Sequence, residues 1–371
     1  MKEVIIHIGV HKTGSSAIQV ALSHYRDDTT RYACFAEANH SLPMFTIFSK
    51  NPKSHHFYKN WAISEKQVEK KKKIFKAELE YDLNDSSLQR LIISGEDISS
   101  LDADDKIKML NFFKLHNWNC KILCFVRNQI DLAASNANTN IRLGNNMKNY
   151  HINFKERLLP FIDNLGLQNI YVFDYSNLLK NKINLIDFVS KFLNIKLTTN
   201  KIKNESLSLE ATAIIFKLNN LLINFKGYQN HMLARKKLVE KIISFFALKK
   251  GFQKPDPLIF AGLVSKEIVE ENNQWIKKFF GIEYSFNAND YNNQQDISKY
   301  FEEVLNRNTE LLEEFFSDLK ISFNTSISLE ENLTNLFANQ LEKITTFDLW
   351  ILSNWRINRI IKKYFTKFKI I

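Results

Sequence analysis

Cysteine is nearly absent from this chain of 371 residues: Cys34, Cys120 and Cys124 are odd in number and include no C-x-x-C pair. That speaks against a disulfide framework and for a reducing compartment. Apolar runs are short, none near the ~20 residues a membrane-spanning helix needs, and no charged-then-apolar leader with a small-residue cleavage site opens the chain, so a cytoplasmic location is expected. The chain has no helix-turn-helix, zinc-finger or aromatic RNA-binding pattern, which weakens a nucleic-acid reading of its net charge of +11. Glycine and proline number only 9 and 5. With abundant Lys, Asn, Ile and Phe, that scarcity reads as a coding bias and carries no function.

The positive charge is concentrated at one end. From Lys343 onward seven basic residues face Asp348 alone, so more than half of the excess lies in the last stretch. There Phe347, Trp350, Ile357, Ile361, Tyr364, Phe365 and Phe368 share one helical face, opposite Arg356, Arg359, Lys362, Lys363 and Lys367. A helix of this kind suits a membrane interface, placing peripheral contact in residues 343–371; packing on the protein body is the commoner use of such a helix.

What is present is concentrated near the start. Val4 to Ile8 reads as a β-branched strand, and Gly9-Val10-His11-Lys12-Thr13-Gly14 as a turn. Ser15-Ser16-Ala17-Ile18-Gln19 then opens a helix that should run to about Arg26. Two glycines let backbone wrap closely around an anion, and the amides of the turn and of the helix N-terminus face it. The glycine spacing is that of a nucleoside-triphosphate loop, but Lys12 stands two residues before Gly14 instead of after it.

Further strands are predicted over Tyr32–Phe35, Leu91–Asp97, Lys121–Val126 and Asn169–Tyr175, alternating with helices near 64–83, 101–116, 130–142 and 185–193. Ligands of an open parallel sheet lie beyond the carboxyl ends of its strands, which brings Glu96 to the crevice of the loop; its alternative use is to start the next helix with Asp97. Arg127 closes a strand, and Ser135 lies eight residues on, two turns into a helix. His55-His56 has no metal-site spacing and reads as a solvated loop, and no metal is expected. Helices near 231–247, 262–281 and 296–319 follow.

His11-Lys12-Thr13-Gly14-Ser15-Ser16 with Ile18-Gln19, the Arg127/Ser135 pair and Asn204-Glu205-Ser206-Leu207-Ser208 together resemble the bacterial sulfotransferases that use 3′-phosphoadenosine 5′-phosphosulfate (PAPS), over about residues 1–225. The resemblance implies a P-loop-like three-layer α/β fold, with a parallel sheet of about five strands and an α-helical C-terminal extension. A PAPS-binding core over 1–225, a variable helical region over 226–330 packed on that core, and a basic amphipathic segment over 331–371 would divide the chain.

The resemblance also implies an activity: transfer of a sulfuryl group from PAPS to a hydroxyl, here one on a glycan or glycolipid sugar. Lys12, Thr13, Gly14, Ser15 and Ser16 would hold the 5′-phosphate and sulfate. Arg127 with Ser135 would hold the 3′-phosphate, and Lys12 would neutralise the leaving group. Glu96 would take the acceptor's proton, with His11 as its competitor. A small-molecule kinase, or a non-catalytic glycan- or membrane-associated protein of this fold, are the alternatives.

Overall fold

The computed structural model of the chain describes residues 2–198, 207–223, 229–247, 253–284, 296–345 and 348. The chain divides into two compact units, the first made of Met1–Ser135, Asn149–Lys203 and Leu263–Tyr291, the second of Asn136–Lys148, Asn204–Gly262 and Asn292–Ile371. The expected amphipathic segment over Phe347–Ile371 lies outside the described residues apart from Asp348, as do Asn204–Ser206.

The first unit is built on five strands: β1 Glu3–His7, β2 Thr30–Tyr32, β3 Arg90–Ser94, β4 Asn119–Val126 and β5 Ile170–Asp174. They form one sheet in the order β2-β3-β1-β4-β5, and every pairing is parallel. Parallel strands are covered on both faces, so they read as near-continuous apolar runs, which is how Val4-Ile5-Ile6 and Leu91-Ile92-Ile93 were legible. Val4, Ile6, Leu91, Ile93, Ile122 and Cys124 bury on one face, while Ile5, Ile92, Leu123 and Phe125 bury on the other. The sheet is the α/β architecture expected, with five strands flanked by helices.

The covering helices are α1 Ser15–Leu22, α2 Ser41–Phe48, α3 His56–Asn60, α4 Glu65–Asn84, α5 Ala103–Leu115 and α6 Gln129–Leu143, then α7 Phe154–Leu165, α8 Tyr175–Lys180, α9 Leu185–Leu193 and, later in the chain, α12 Lys266–Phe280. The residues of α6 from Asn136 onward are counted with the second unit. Ser64 and Gln67 close a reciprocal capping box at the start of α4, which fixes its first turn. The second unit contains α10 Leu209–Leu221, α11 Gln229–Ala247, α13 Ile297–Asn306, α14 Thr309–Asp318 and α15 Leu329–Glu342. Ser208 caps α10 through the Ala211 amide.

Several boundaries differ from expectation for local reasons. α1 stops at Leu22, because His24 takes a left-handed backbone (φ 66°) and Asp27 then ties the amides of Thr29 and Thr30 into a turn. One helix expected over 296–319 is two, since Asn308 turns its side-chain amide back on the Val304 carbonyl at 2.7 Å. β2 ends at Tyr32 instead of Phe35: the Cys34 amide donates to Asp82 Oδ2 at 2.7 Å and so leaves the strand direction.

Asp82 is fully buried and also receives Arg31 at 2.8 Å, while the second guanidinium nitrogen of Arg31 reaches Asp85 at 2.7 Å. Replacing Asp82 by Ala leaves the buried Arg31 guanidinium with Asp85 alone and takes the acceptor from the part-buried Cys34 amide, so Asp82→Ala should cost about 2–3 kcal/mol in a denaturant titration. A loss under 1 kcal/mol would mean that Arg31 finds water instead.

Candidate active site

The carboxyl ends of β1 and β3 bring the loop and Glu96 together. The register pairs His7 with Ser94, and their side chains bond directly, Nδ1 to Oγ at 2.7 Å. His40 grips the end of β3 from the other side: its amide donates to the Ser94 carbonyl at 2.8 Å and its Nδ1 accepts from the Ser94 amide at 3.2 Å. Pinned there, the strand ends at Ser94 and not at Asp97. Residues Glu96–Ser100 form one turn of 3₁₀ helix. Gly95 is required at the bend, because a Cβ would lie 2.6 Å from the Ser41 amide nitrogen.

Glu96 Oε2 meets His11 Nδ1 at 2.8 Å, and Asp97 Oδ1 lies 3.6 Å from His11 Nε2. Asp97 also accepts from His55 Nε2 at 3.0 Å. His55 is buried, a correction to the solvated loop expected for it, and its Nδ1 caps the Phe57 amide at 3.2 Å. Because Nδ1 accepts there, Nε2 carries the proton that Asp97 receives. His55, His56 and Asp97 converge closely enough to hold a metal ion, a grouping that the spacing argument did not foresee. Ligation through His55 Nε2 would require the other tautomer and the loss of the α3 cap.

Charge states in this cluster follow from surroundings. Its two carboxylate neighbours, Asp97 and Glu96, raise His11 to about 9, so it is a cation at neutral pH. Burial works against Asp97, yet the His11 imidazolium at 3.6 Å and the hydrogen bond from His55 hold it below the ordinary carboxylate range. His7, buried beneath them, is driven by desolvation to about 4 and is neutral. Two histidines four residues apart thus sit in opposite states.

The loop itself has the form of an anion cradle. Lys12 takes a positive φ of 70° and Gly14 one of 82°. Gly14 stands at the N-cap of α1 and offers no side chain to the first-turn amides. Ser15 Oγ is buried without a hydrogen-bond partner. A Cβ on Gly9 would lie 2.3 Å from that oxygen, so the close passage of the loop over Ser15 needs glycine. Thr13 turns its hydroxyl inward to the Val10 carbonyl, leaving only its amide available to a ligand. Lys12 is half-buried and Ser16 exposed.

Arg127, at the end of β4, donates to the Lys12 carbonyl at 3.2 Å. Its Nε lies 3.7 Å from Asp131, beyond hydrogen-bond range, and is buried without a partner. The guanidinium also rests over the Tyr175 ring at 5.7 Å. Ser135 is half-buried on α6. The residues brought together are therefore His11 with Glu96, and Arg127 with Lys12. Sequence reasoning missed Asp97 as an ionic partner and took His55 for part of a solvated loop. The acid pair Glu96-Asp97 was a signal for the first, but nothing near His55 announced a contact 42 residues away.

No protein-family model and no curated protein matches the chain. Among solved structures it is similar to a sulfotransferase from Alicyclobacillus acidocaldarius, with 12% identity over 65% of this chain and 96% of that one at a TM-score of 0.35. A mouse sulfotransferase complexed with PAP matches at 13% identity over 82% and 89%, TM-score 0.28. Retinol dehydratase, in complex with androsterone and the inactive cofactor PAP, matches at 14% over 78% and 84%, TM-score 0.27. The fold rests on the sheet order and register.

Proposed function

We propose that the protein transfers a sulfuryl group from PAPS to an acceptor hydroxyl on a sugar of a glycan or glycolipid. The observation that carries the reading is the 2.8 Å pairing of Glu96 with His11 beside an uncapped helix N-terminus in which Ser15 Oγ lacks a partner. Unspent donors around a glycine turn fit a phosphate-like anion, and a carboxylate next to them fits removal of a proton. The sequence resemblance over residues 1–225 supports the same assignment.

PAPS supplies the sulfuryl group, its 5′-phosphate being the leaving group. The amides of Thr13 to Ser16 and the Ser15 hydroxyl hold the anionic end, and Lys12 offsets the charge that develops there. Arg127 with Ser135 takes the 3′-phosphate, for which a forked guanidinium is suited. Glu96 accepts the proton of the attacking hydroxyl. His11, already protonated at neutral pH, keeps Glu96 oriented and adds positive charge at the mouth of the loop.

The test is thermal denaturation with adenosine 3′,5′-bisphosphate (PAP) against ATP with magnesium. Ligand at about 100 times its dissociation constant stabilises by about 2.7 kcal/mol. PAP should raise the midpoint by several degrees and ATP with magnesium should not. The reverse order would assign the loop to a kinase, and no shift with either would leave a non-catalytic fold.

A further inference from the structure

A cleft of about 550 Å³ opens beside the turn that carries Glu96. Ser99 and Ser100, the last residues of that turn, form one wall, and α5 and α7 supply Lys106 and Arg157. Lys106 is only 2% exposed. Its Nζ donates to the Glu156 carbonyl at 3.0 Å and lies 5.6 Å from the centre of the Phe161 ring. Arg157, half-buried, donates to Ser100 Oγ and lies 3.5 Å from Ser99 Oγ. Among the described residues, neither cation has a carboxylate at ion-pair distance.

Burying two positive groups side by side is unfavourable without a counter-charge. Both feel it: desolvation and the nearby Arg157 lower Lys106 to about 8, and burial lowers Arg157 as well. Three acids line the cleft. Asp102, Glu156 and Glu271 are all exposed, and Asp102 is already paired with Lys50 at 2.7 Å. Water screens these exposed acids more than it screens the buried Lys106 ammonium. Hydroxyls and exposed carboxylates suit sugar hydroxyls, and the paired cations suit one fixed negative group.

We infer that this cleft binds an anionic sugar unit, a carboxylate or ester sulfate reaching Lys106 and Arg157 while its hydroxyls meet Ser99, Ser100 and the exposed carboxylates. The inference deepens the sulfuryl-transfer reading and depends on it only for naming that sugar as part of the acceptor. The route from cleft to base is short, since Ser99 Oγ donates to the Glu96 carbonyl at 2.9 Å.

The test is ligand-detected NMR titration of the full chain with glucuronate, glucose 6-sulfate, glucose and inorganic sulfate, with PAP binding measured in parallel. Either charged sugar should bind at least ~10-fold more tightly than glucose, the weight of one charge-assisted contact. Whichever charged sugar prevails identifies the acidic group. Arg157→Gln should erase most of that preference while PAP affinity stays unchanged, and Lys106→Met, which keeps the buried volume, should do the same. Should Lys106→Met fail to fold, Arg157→Gln decides alone.

Equal binding of charged and neutral sugars overturns the inference, as does full preference in Arg157→Gln. Inorganic sulfate binding as tightly as either charged sugar would reduce the cleft to an adventitious ion site only. Loss of PAP binding with charged-sugar binding intact would instead overturn the sulfuryl-transfer reading and leave the cleft standing.

Discussion

Glu96→Gln should lower sulfuryl transfer ~100-fold or more while leaving PAP affinity nearly unchanged, because glutamine keeps the size and hydrogen bonding of the carboxylate without its basicity. The pH profile separates Glu96 from its neighbour. His11 is a cation up to about 9, so a His11 base would give a rate that climbs with pH through about 9 as the imidazole becomes neutral. With Glu96 as the base and His11 as a positive orienting group, the rate instead falls as pH rises through about 9, and His11→Gln removes that fall. A wild-type rate still climbing at pH 9, together with an active Glu96→Gln variant, would exchange the two roles.

The same titration acts on stability. A group raised above its ordinary 6.5 contributes fully below that value and loses its contribution as pH rises through about 9. His11 is nearly half exposed, so water screens its ion pair and the effect on the folded state is small. Activity is therefore the more sensitive readout of this pair.

Sequence alone made the frame legible where information is local. Val4-Ile5-Ile6, Leu91-Ile92-Ile93 and Ile122 to Val126 declare buried strands by their apolar runs, and Leu185–Leu193 was readable to the residue from its periodicity. Missed elements carry conflicting local signals. α2, Ser41–Phe48, contains Pro43 and is apolar on almost every side, so it shows no amphipathic period; α7 has Pro160 within it. The strand to Asp97 was cut short by His40, a contact 54 residues distant in the chain. At the site, glycine spacing and strand ends pointed to the loop, Glu96 and Arg127. His55, Lys106 and Arg157 gain their meaning from burial and from partners brought by other elements, and no pattern in their neighbours carries that.

Replacing Arg127 by Ala should weaken PAP binding about 100-fold, the weight of a charge-assisted phosphate contact. The structure adds a second role that a simple affinity loss would not resolve. Arg127 donates to the Lys12 carbonyl at 3.2 Å, and Lys12 holds a left-handed backbone at φ 70°, a conformation costing a residue with a Cβ about 1–2 kcal/mol. Arg127 can therefore act by gripping a 3′-phosphate, by holding the loop, or both. AMP lacks the 3′-phosphate and needs the same loop, so the ratio of PAP to AMP affinity isolates the first role and AMP affinity alone reports the second. If the unspent Nε marks a phosphate seat, Arg127→Ala collapses the ratio toward one. If Arg127 only braces Lys12, both affinities fall together and the ratio survives, and the 3′-phosphate must be sought elsewhere along the end of β4 and the start of α6. Arg127→Lys sharpens the reading: a lysine keeps the charge but loses the fork, so a bidentate grip on phosphate loses about 10-fold or more in the ratio, whereas a mere counter-charge is retained.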